Sequence, residues 1–353
     1  MDRYVGVDAH ARSCTLAVMA ASGKRIKSMV VETNGRALLE AGRSIGGRLH
    51  ICLEEGTQSA WLYELLAPQA TEIAVTVPGE NRGAKDDERD AWARAEELRV
   101  GAIRTRVYKA PLHLSALRNA VRACRFAVTD VVRVKNRLKS VFRSRGVATD
   151  SGVYAGNGRE RWLKQLPQAH RQLAEWLGRE LEGLEPLREQ AEEWLLKEAK
   201  THPIIRKLAT APGMGPIRTA QLVAIVADPH RFRTRGQFRS YCGLSVVTRS
   251  SSDWVQKKKG KEWVRAETQQ TRGLTRKRHP LLKSVFKGTA TTVIAQLRQH
   301  PLHQDYQRMV EGGCKPNLAK LTLARRLAAI VLSMWKHGEV YDPKRQQNVT
   351  AQA

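Results

Sequence analysis

The order of predicted strands and helices in the first hundred residues limits the fold more than any other feature of the chain. Five short runs rich in β-branched residues, each bounded by polar or glycine-containing breaks, predict strands. Two segments between them, 35–43 and 59–66, have helical spacing. Three strands followed by helix, strand, helix and strand is the order of a ribonuclease-H-like α/β sheet. The predicted strands are 4–8, 14–19, 26–32, 50–55 and 72–77.

The rest of the chain predicts helices. Residues 112–145 contain neither proline nor glycine, and apolar residues recur there at helical intervals. Residues 155–200 are rich in glutamate, leucine and glutamine, which indicates a helical hairpin or a coiled-coil arm. After His202-Pro203 the composition becomes strongly basic, and this shift predicts a domain boundary.

The expected fold class is therefore α/β plus all-α. The predicted parts are an α/β domain over 1–150, with its sheet at about 1–110 and a basic helix at 112–146, a helical coiled-coil arm over 155–200, a mainly helical C-terminal domain over 201–345, and a tail over 346–353.

The charge of the chain indicates its class of partner. Of 353 residues, 61 are Lys or Arg and 34 are Asp or Glu, which gives a net charge of +27. The net charge is +1 over residues 1–110, +6 over residues 111–200 and +20 over residues 201–353. Such a charge predicts a polyanionic partner, most often nucleic acid, bound mainly by the C-terminal part. The arginines and lysines of 112–145 indicate nucleic-acid contact or a solvated helix face.

Cysteine usage and hydropathy predict a cytoplasmic protein, and with a nucleic-acid partner we expect it to be associated with the nucleoid. The cysteines lie far apart without a CxxC pair, which supports neither a zinc site nor a disulfide framework. Their odd number is typical of a reducing compartment. The N-terminus has no apolar signal core, and the most apolar late stretch carries charged side chains, so we expect no membrane span. The cysteines are Cys14, Cys52, Cys124, Cys242 and Cys314.

Four carboxylates form the first candidate site. Asp8 and Glu54 end two predicted strands, and Asp87 and Asp90 share one face of a starting helix. Clustered carboxylates repel one another unless cations neutralise them, and hard oxygen ligands suit Mg²⁺ or Mn²⁺. Each residue also has a structural interpretation, as a turn residue or as part of a helix N-terminal turn. Asp86 and Glu55 are close alternatives to Asp87 and Glu54 as site residues. His10 either assists the site or is an ordinary loop residue.

Two further candidate sites lie in the basic C-terminal part. The sequence Ala-Pro-Gly-Met-Gly-Pro-Ile at 211–217 is similar to the turn of helix-hairpin-helix modules, where backbone N–H groups meet a DNA phosphate, but it also suits a plain turn between helices. Three serines at 250–252 lie between Arg249 and a lysine-rich run. They form either a flexible phosphate-binding loop or a segment with a nucleophilic hydroxyl, and composition alone favours the loop.

Five short motifs follow one another along nearly the whole chain. They are Gly6-Val7-Asp8, Cys52-Leu53-Glu54, Lys85-x-Asp87-x-x-Asp90-Ala91, Pro212-Gly213-Met214-Gly215-Pro216, and Gly243-Leu244 through Ser250-Ser251. In order and spacing they resemble the first-strand Asp, "CLE", "KxDxxDA", "PGxGP" and serine motifs of the DEDD insertion-sequence transposases. This family is related to the Piv and MooV DNA invertases and contains bridge-RNA-guided recombinases.

The resemblance implies a RuvC-like N-terminal domain in which four carboxylates bind Mg²⁺, with Mn²⁺ as a substitute. It implies that a serine, best matched by Ser251, attacks the DNA backbone to form a covalent phosphoserine intermediate. A structured noncoding RNA would pair with target and donor DNA, and the active form would be a homodimer or a homotetramer. The implied metal ligands are Asp8, Glu54, Asp87 and Asp90.

The sequence departs from the family pattern at three places. Glu55-Gly56-Thr57 replaces Ala-Thr-Gly after the "CLE" strand, no proline follows Gly243-Leu244, and Ser252-Asp253 replaces glycines after the serine. The nucleophile therefore stays open among Ser250, Ser251 and Ser252.

Three other functions compete with RNA-guided transposition. A hydrolytic nuclease of the Holliday-junction type would use the same fold and metals, with water as the nucleophile. A nucleic-acid-binding scaffold would use the carboxylates only structurally. A sugar-kinase or actin-like ATPase shares the opening strand, but Ala9-His10-Ala11-Arg12-Ser13 follows Asp8 in place of a glycine-rich phosphate loop, which excludes it.

Overall fold

The computed structural model of the chain describes residues 1–78, 86–251, 254–256, 262–265, 269–276 and 278–343. Four features predicted from the sequence lie outside these residues: Lys85, Ser252, the lysine-rich run at 257–261 and the tail at 346–353. The chain divides into two compact units, Met1–Leu112 and His113–Ala353.

The first unit contains a five-stranded sheet with the strand order β3-β2-β1-β4-β5. Strands β1, β2 and β3 pair antiparallel, whereas β4 pairs parallel with both β1 and β5. The strands are β1 (Asp2–Ala9), β2 (Ser13–Ala20), β3 (Arg25–Glu32), β4 (Arg48–Glu54) and β5 (Ala70–Thr76), and the helices are α1 (Gly35–Ile45), α2 (Ser59–Leu66) and α3 (Asp87–Arg99).

The strands and helices predicted for this region all occur within two residues of the expected bounds. The prediction of a mixed α/β fold is therefore confirmed, and the strand order is consistent with a ribonuclease-H-like sheet. Apolar residues point to both faces of the central strands, because helices cover both faces. Val7 and Leu16 pack with α1 and α2, whereas Ala17 and Met19 pack with α3.

Helix α3 lies unusually close to strand β1. A Cβ atom at Gly6 would lie 1.8 Å from the carbonyl oxygen of Ala91 and 2.7 Å from the backbone nitrogen of Ala95. Only glycine leaves room for the helix backbone at this point of the strand. The small side chains of Ala91 and Ala95 are fully buried in the same contact. Gly6 therefore sets the distance between α3 and the sheet.

The second unit begins with two long helices, α4 (Ser115–Arg143) and α6 (Gln168–Lys200), which are separated by the short α5 (Gly156–Leu163). The start of α4 shares a core with the end of α6, through Leu117 and Leu195. The later part of α4 packs against the earlier part of α6, through Leu138 and Leu177. The two long helices therefore run antiparallel as a hairpin.

The remainder of the second unit is mainly helical and packs around the apolar helix α12. Two small antiparallel sheets, β6 with β9 and β7 with β8, lie between α9 and α10 in the chain. The elements are α7 (Pro203–Leu208), α8 (Gly215–Val226), α9 (Arg235–Tyr241), β6 (Val246–Ser251), β7 (Trp254–Gln256), β8 (Trp263–Arg265), β9 (Gln269–Leu274), α10 (Pro280–Gln296), α11 (Pro301–Glu311) and α12 (Pro316–His337).

One local prediction is wrong. The serine segment was expected from its composition to be a flexible loop, but the backbone of residues 246–251 forms strand β6. Ser250 pairs with Gln270 and Ser251 with Gln269. Composition favours a loop because serine is common in turns, but cross-strand pairing satisfies the backbone here.

Within the described part of the chain, no helix is both long and apolar enough to cross a membrane.

We predict that Gly6→Ala lowers the free energy of unfolding by about 1–3 kcal/mol, because the added methyl group forces α3 away from the sheet. Gly183→Ala is the matched control: Gly183 lies in α6 with nothing within 4 Å of the added Cβ. The control variant is expected to gain about 0.5–1 kcal/mol from helix propensity. Urea unfolding measures both, and equal effects of the two substitutions would contradict the close contact at Gly6.

Candidate active site

Two carboxylates meet at one edge of the sheet because β1 and β4 are parallel neighbours. Val7 pairs with Leu53 in this ladder, so the next residue on each strand is Asp8 and Glu54, respectively. The carboxyl ends of parallel strands lie at the same sheet edge, which brings the two side chains together. Asp8 is only 8% exposed, whereas the Glu54 side chain is 31% exposed.

Helix α3 presents further charged side chains to this edge. Asp87, Asp90 and Arg94 follow one another at spacings of three and four residues, which places them on one face of the helix. The helix begins there because the Asp86 carboxylate caps it, accepting hydrogen bonds from the backbone N–H groups of Glu88 at 3.0 Å and Arg89 at 3.3 Å. Asp86, the rival of Asp87, is thus engaged as a helix cap.

His10 joins the sheet to the helix. Its Nε2 atom lies 2.9 Å from Oδ2 of Asp8 and 3.1 Å from Oδ1 of Asp87. One ligand atom from each of these three residues lies within 4.8 Å of the others. His10 is therefore part of the carboxylate cluster, whereas its position in a loop left this open in the sequence.

Arg94 is the counter-charge of the cluster. Its guanidinium pairs with Glu54 through Nη2 and lies 3.6 Å from Oδ1 of Asp8 through Nη1. Arg94 is only 9% exposed. A buried guanidinium needs carboxylate partners, and buried carboxylates need a cation, so each stabilises the charged form of the other. Sequence reasoning missed Arg94, although its position four residues after Asp90 was a usable signal.

The cluster opens into a cavity of about 270 Å³ that is lined mainly by polar atoms. Asp8, Glu54 and Asp90 line it together, and Asp87 adjoins it through His10. The four carboxylates singled out in the sequence thus lie at one place in the first unit. Glu55, the rival of Glu54, also lines the cavity but is bound by the Lys109 ammonium group and by Ser59 Oγ.

The donor set suits a hard divalent cation. Carboxylate oxygens are the protein ligands that Mg²⁺ and Mn²⁺ prefer, and several of them converge here on a small polar cavity. The Cys52 thiol is fully buried, and burial raises its pKa to about 11. It does not line the cavity, and a soft thiolate is not a ligand that Mg²⁺ prefers. The residues present therefore fit a metal centre formed by strand ends and one helix face.

The other predicted site residues lie in the second unit. Ser250 and Ser251 belong to the backbone of β6, and Ser252 lies outside the described residues. The glycine-rich turn connects α7 to α8 and packs on α10, since a Cβ at Gly213 would lie 2.7 Å from the Thr289 carbonyl oxygen. The positive φ of 74° at Gly213 also requires glycine.

Two family models match the chain. A transposase model of the DEDD type named for IS110 matches residues 5–145, and the model described as "Transposase IS116/IS110/IS902 family" matches residues 205–271. Together they cover more than half of the chain. The chain is a DEDD-type transposase of the IS110/IS116/IS902 family.

Two relatives agree with this family. The transposase is 26% identical over 304 residues to protein y4pF/y4sB of Sinorhizobium fredii, which carries the name of a transposase. The match covers 82% of this chain and 70% of that protein. The transposase is also 27% identical over 144 residues to a 44.8 kDa protein of insertion element IS116 from Streptomyces clavuligerus. That match covers 41% of this chain and 32% of the relative.

The family makes the chain an enzyme of DNA transposition, and its DEDD type suggests the use of a divalent metal. The four carboxylates fall within the first family match. Ser250 and Ser251 fall within the second.

We predict that Arg94→Met lowers the melting temperature of the transposase without metal, because two carboxylates lose their counter-charge. The free energy of unfolding is expected to fall by about 1–3 kcal/mol. The partial exposure of Glu54 makes this decrease smaller than for a fully buried pair. Mg²⁺ should raise the melting temperature of Arg94→Met more than that of the native protein, since it neutralises the freed carboxylates.

Arg94→Lys is the control, because it keeps a positive charge at the cluster. Differential scanning fluorimetry over a Mg²⁺ titration measures all three proteins. Identical Mg²⁺-dependent shifts would mean that Arg94 and the metal do not share carboxylates.

Proposed function

We propose that the transposase cuts and rejoins DNA strands with a divalent metal held by Asp8, Glu54, Asp87 and Asp90 and with Ser251 as the nucleophile. The observation that carries the proposal is the meeting of these carboxylates with His10 and Arg94 around one polar cavity. In this proposal the domain over 1–150 is RuvC-like, the segment over 155–200 is a helical arm, and the domain over 201–345 carries the serine.

Mg²⁺, or Mn²⁺ in its place, would polarise the phosphodiester and neutralise charge that develops on its oxygens. Other residues of the chain would orient the carboxylates that bind the metal ion. The Nε2 atom of His10, which lies 3.1 Å from Asp87, forms a hydrogen bond with Asp8 and orients that carboxylate. Arg94 does the same for Glu54 and limits the repulsion between the strand ends.

The proposed covalent step exchanges one phosphate ester for another. The Ser251 hydroxyl loses its proton, and its oxygen attacks the phosphorus of a DNA phosphodiester. The bond from phosphorus to one deoxyribose oxygen breaks, and that oxygen leaves with a proton as a free hydroxyl. A hydroxyl of the second DNA strand then loses its proton, and its oxygen attacks the phosphorus of the phosphoserine. The bond from phosphorus to the serine oxygen breaks, and Ser251 regains a proton, so the strands are rejoined without an external energy source.

The proposed partners follow from the family resemblance and the charge. A structured bridge RNA would pair with target and donor DNA, as in the bridge-RNA-guided relatives of Piv and MooV, while the protein binds the phosphate backbones. The net charge of +20 over 201–353 supports the binding of both polymers there. The proposed active form is a homodimer or homotetramer that acts on the nucleoid in the cytoplasm.

A hydrolytic nuclease of the Holliday-junction type is the second candidate. It is favoured by one observation: residues of the first unit alone line the cavity that the carboxylate cluster shares. Water would then attack the phosphodiester, and no protein–DNA adduct would form.

One experiment distinguishes the two proposed functions. The native transposase, co-expressed with its RNA, is incubated with Mg²⁺ and labelled element-junction DNA and then run on a denaturing gel. We expect a covalent protein–DNA band that is lost in Ser251→Ala and in Asp8→Asn. Strand exchange should fall by about 10⁴-fold or more in Ser251→Ala, because the nucleophile is removed.

Ser250→Ala and Ser252→Ala are matched controls that should keep the covalent band. A band that disappears in one of these controls, but not in Ser251→Ala, would move the nucleophile to that serine. Cleaved DNA without any adduct in the native protein would favour the hydrolytic nuclease.

A further inference from the structure

A cationic group of four half-buried charged side chains and one histidine surrounds the turn between α9 and β6 in the second unit. The turn consists of residues 241–244, with Cys242, Gly243 and Leu244 buried. The side chains come from the end of α9, from the start of α10 and the residues before it, and from α12. They are Arg239, Arg278, His279, Lys283 and Arg325.

Direct contacts tie three of these residues to the turn. Arg325 donates a hydrogen bond from Nε to the Leu244 carbonyl oxygen at 2.6 Å. The Arg278 side chain lies on Gly243, where a Cβ atom would be 2.1 Å from the Arg278 Cδ atom. The His279 backbone N–H donates to the Tyr241 carbonyl at 2.9 Å. Two segments of the chain, residues 278–279 and α12, therefore contact one turn, and each brings an arginine to it.

Several nitrogen atoms of this group are buried without a hydrogen-bond partner among the described residues. They are Nε of Arg239, Nη2 of Arg325 and Nδ1 of His279. The neighbouring Arg326 differs, since it donates to Asp305 at 2.7 Å. Leaving buried polar nitrogens unpaired costs free energy, and such atoms are rare in folded proteins. The two guanidinium nitrogens can only donate, so an acceptor for them is lacking at this turn among the described residues.

The charges around the group have the same sign. Burial and the nearby Arg239 lower the pKa of Arg325, and burial, Arg278 and Lys287 lower the pKa of Lys283. Burial and Arg125 also lower the pKa of His279, so this imidazole is uncharged at neutral pH and adds a hydrogen-bonding group to the site, whereas the arginines and Lys283 supply its charge. Cations held together in this way repel one another, so the fold bears a cost that a bound anion would remove.

We propose that this cationic group binds a backbone phosphate of a nucleic-acid strand. Guanidinium groups match phosphate oxygens in geometry and in charge, and this part of the chain carries most of the net positive charge. The inference deepens the proposed function, on which it rests for the nature of the polymer. The ligand chemistry is a phosphodiester of either DNA or RNA.

The position of the turn separates this phosphate from the one that Ser251 would attack. Strand β6 begins at Val246, two residues after Leu244, and reaches Ser251 five residues later. An extended strand rises about 3.3 Å per residue, so β6 spans about 17 Å. The cationic group therefore binds a neighbouring phosphate and would hold the strand while its chemistry takes place elsewhere.

Arg239→Gln tests the proposal in the full-length protein. Binding of a labelled homothymidine strand and of a homouridine strand of equal length is measured by fluorescence anisotropy over a salt series. We expect affinity to fall by about 5- to 20-fold at 0.1 M salt, and the slope of log affinity against log salt to become shallower by about 0.7–0.9. Without nucleic acid, the melting temperature of the variant should rise, because repulsion with Arg325 is relieved.

Arg179→Gln is the matched control, because it removes an equal charge from an exposed position on α6. It should leave the salt slope unchanged. Lys283→Gln provides a second variant at the group in case Arg239→Gln does not fold, with the same expected change in slope. A loss confined to the DNA strand or to the RNA strand would identify which polymer occupies the site, and either supports the proposal.

An unchanged salt slope in both Arg239→Gln and Lys283→Gln would overturn the proposal, as would a lower melting temperature without any loss of binding. The cationic group would then be structural. These outcomes are distinguishable from failure of the proposed function, because binding is measured without metal and without covalent chemistry. If the native protein forms no covalent adduct with DNA but the variants show the predicted change in salt slope, the phosphate site is supported and the serine mechanism is contradicted.

Discussion

The close contact between α3 and β1 is the constraint on which the arrangement of the first unit depends. Gly6 has no side chain, so the backbone of α3 approaches the strand at Ala91 and Ala95. Asp87, Asp90 and Arg94 lie on the same helix and are carried to the sheet edge by that approach. A larger residue at position 6 would move the whole charged face of the helix away from Asp8. Packing of small residues thus determines the geometry of a polar site several ångströms away.

The charges of the two units are balanced in different ways. In the first unit, a cluster of carboxylates is held together by one buried arginine and one histidine of the same cluster. In the second unit, arginines, a lysine and a histidine gather around a buried turn, with nitrogen atoms that have no hydrogen-bond partner among the described residues. The first arrangement suits a divalent cation and the second a phosphate. Both ligands take part in the proposed function, and both sites bear an electrostatic cost that binding would reduce.

Local patterns predicted the elements of the first unit accurately. The strands at β1 to β5 are short runs of β-branched residues, and a buried central sheet tolerates few other side chains there. The sequence placed Asp8 and Glu54 at the ends of two strands, and the parallel pairing of β1 with β4 then brings these ends to the same edge of the sheet. The serine segment was interpreted wrongly as a loop because its pairing partner, Gln269 to Leu274, is distant in sequence and polar in composition. Pairing between two such segments cannot be recognised from the amino-acid sequence of either segment alone.

The sequence by itself determined the strand and helix order, the excess of positive charge after residue 201, and the carboxylates available for chemistry. These properties depend on local spacing and on residue type. Only the tertiary structure decided which charged groups meet. His10 became a bridge between Asp8 and Asp87, Arg94 became the partner of Glu54, and Asp86 was used as a helix cap. These roles depend on distances across the fold, which are set by packing at positions such as Gly6 and not by the neighbours of each residue along the chain.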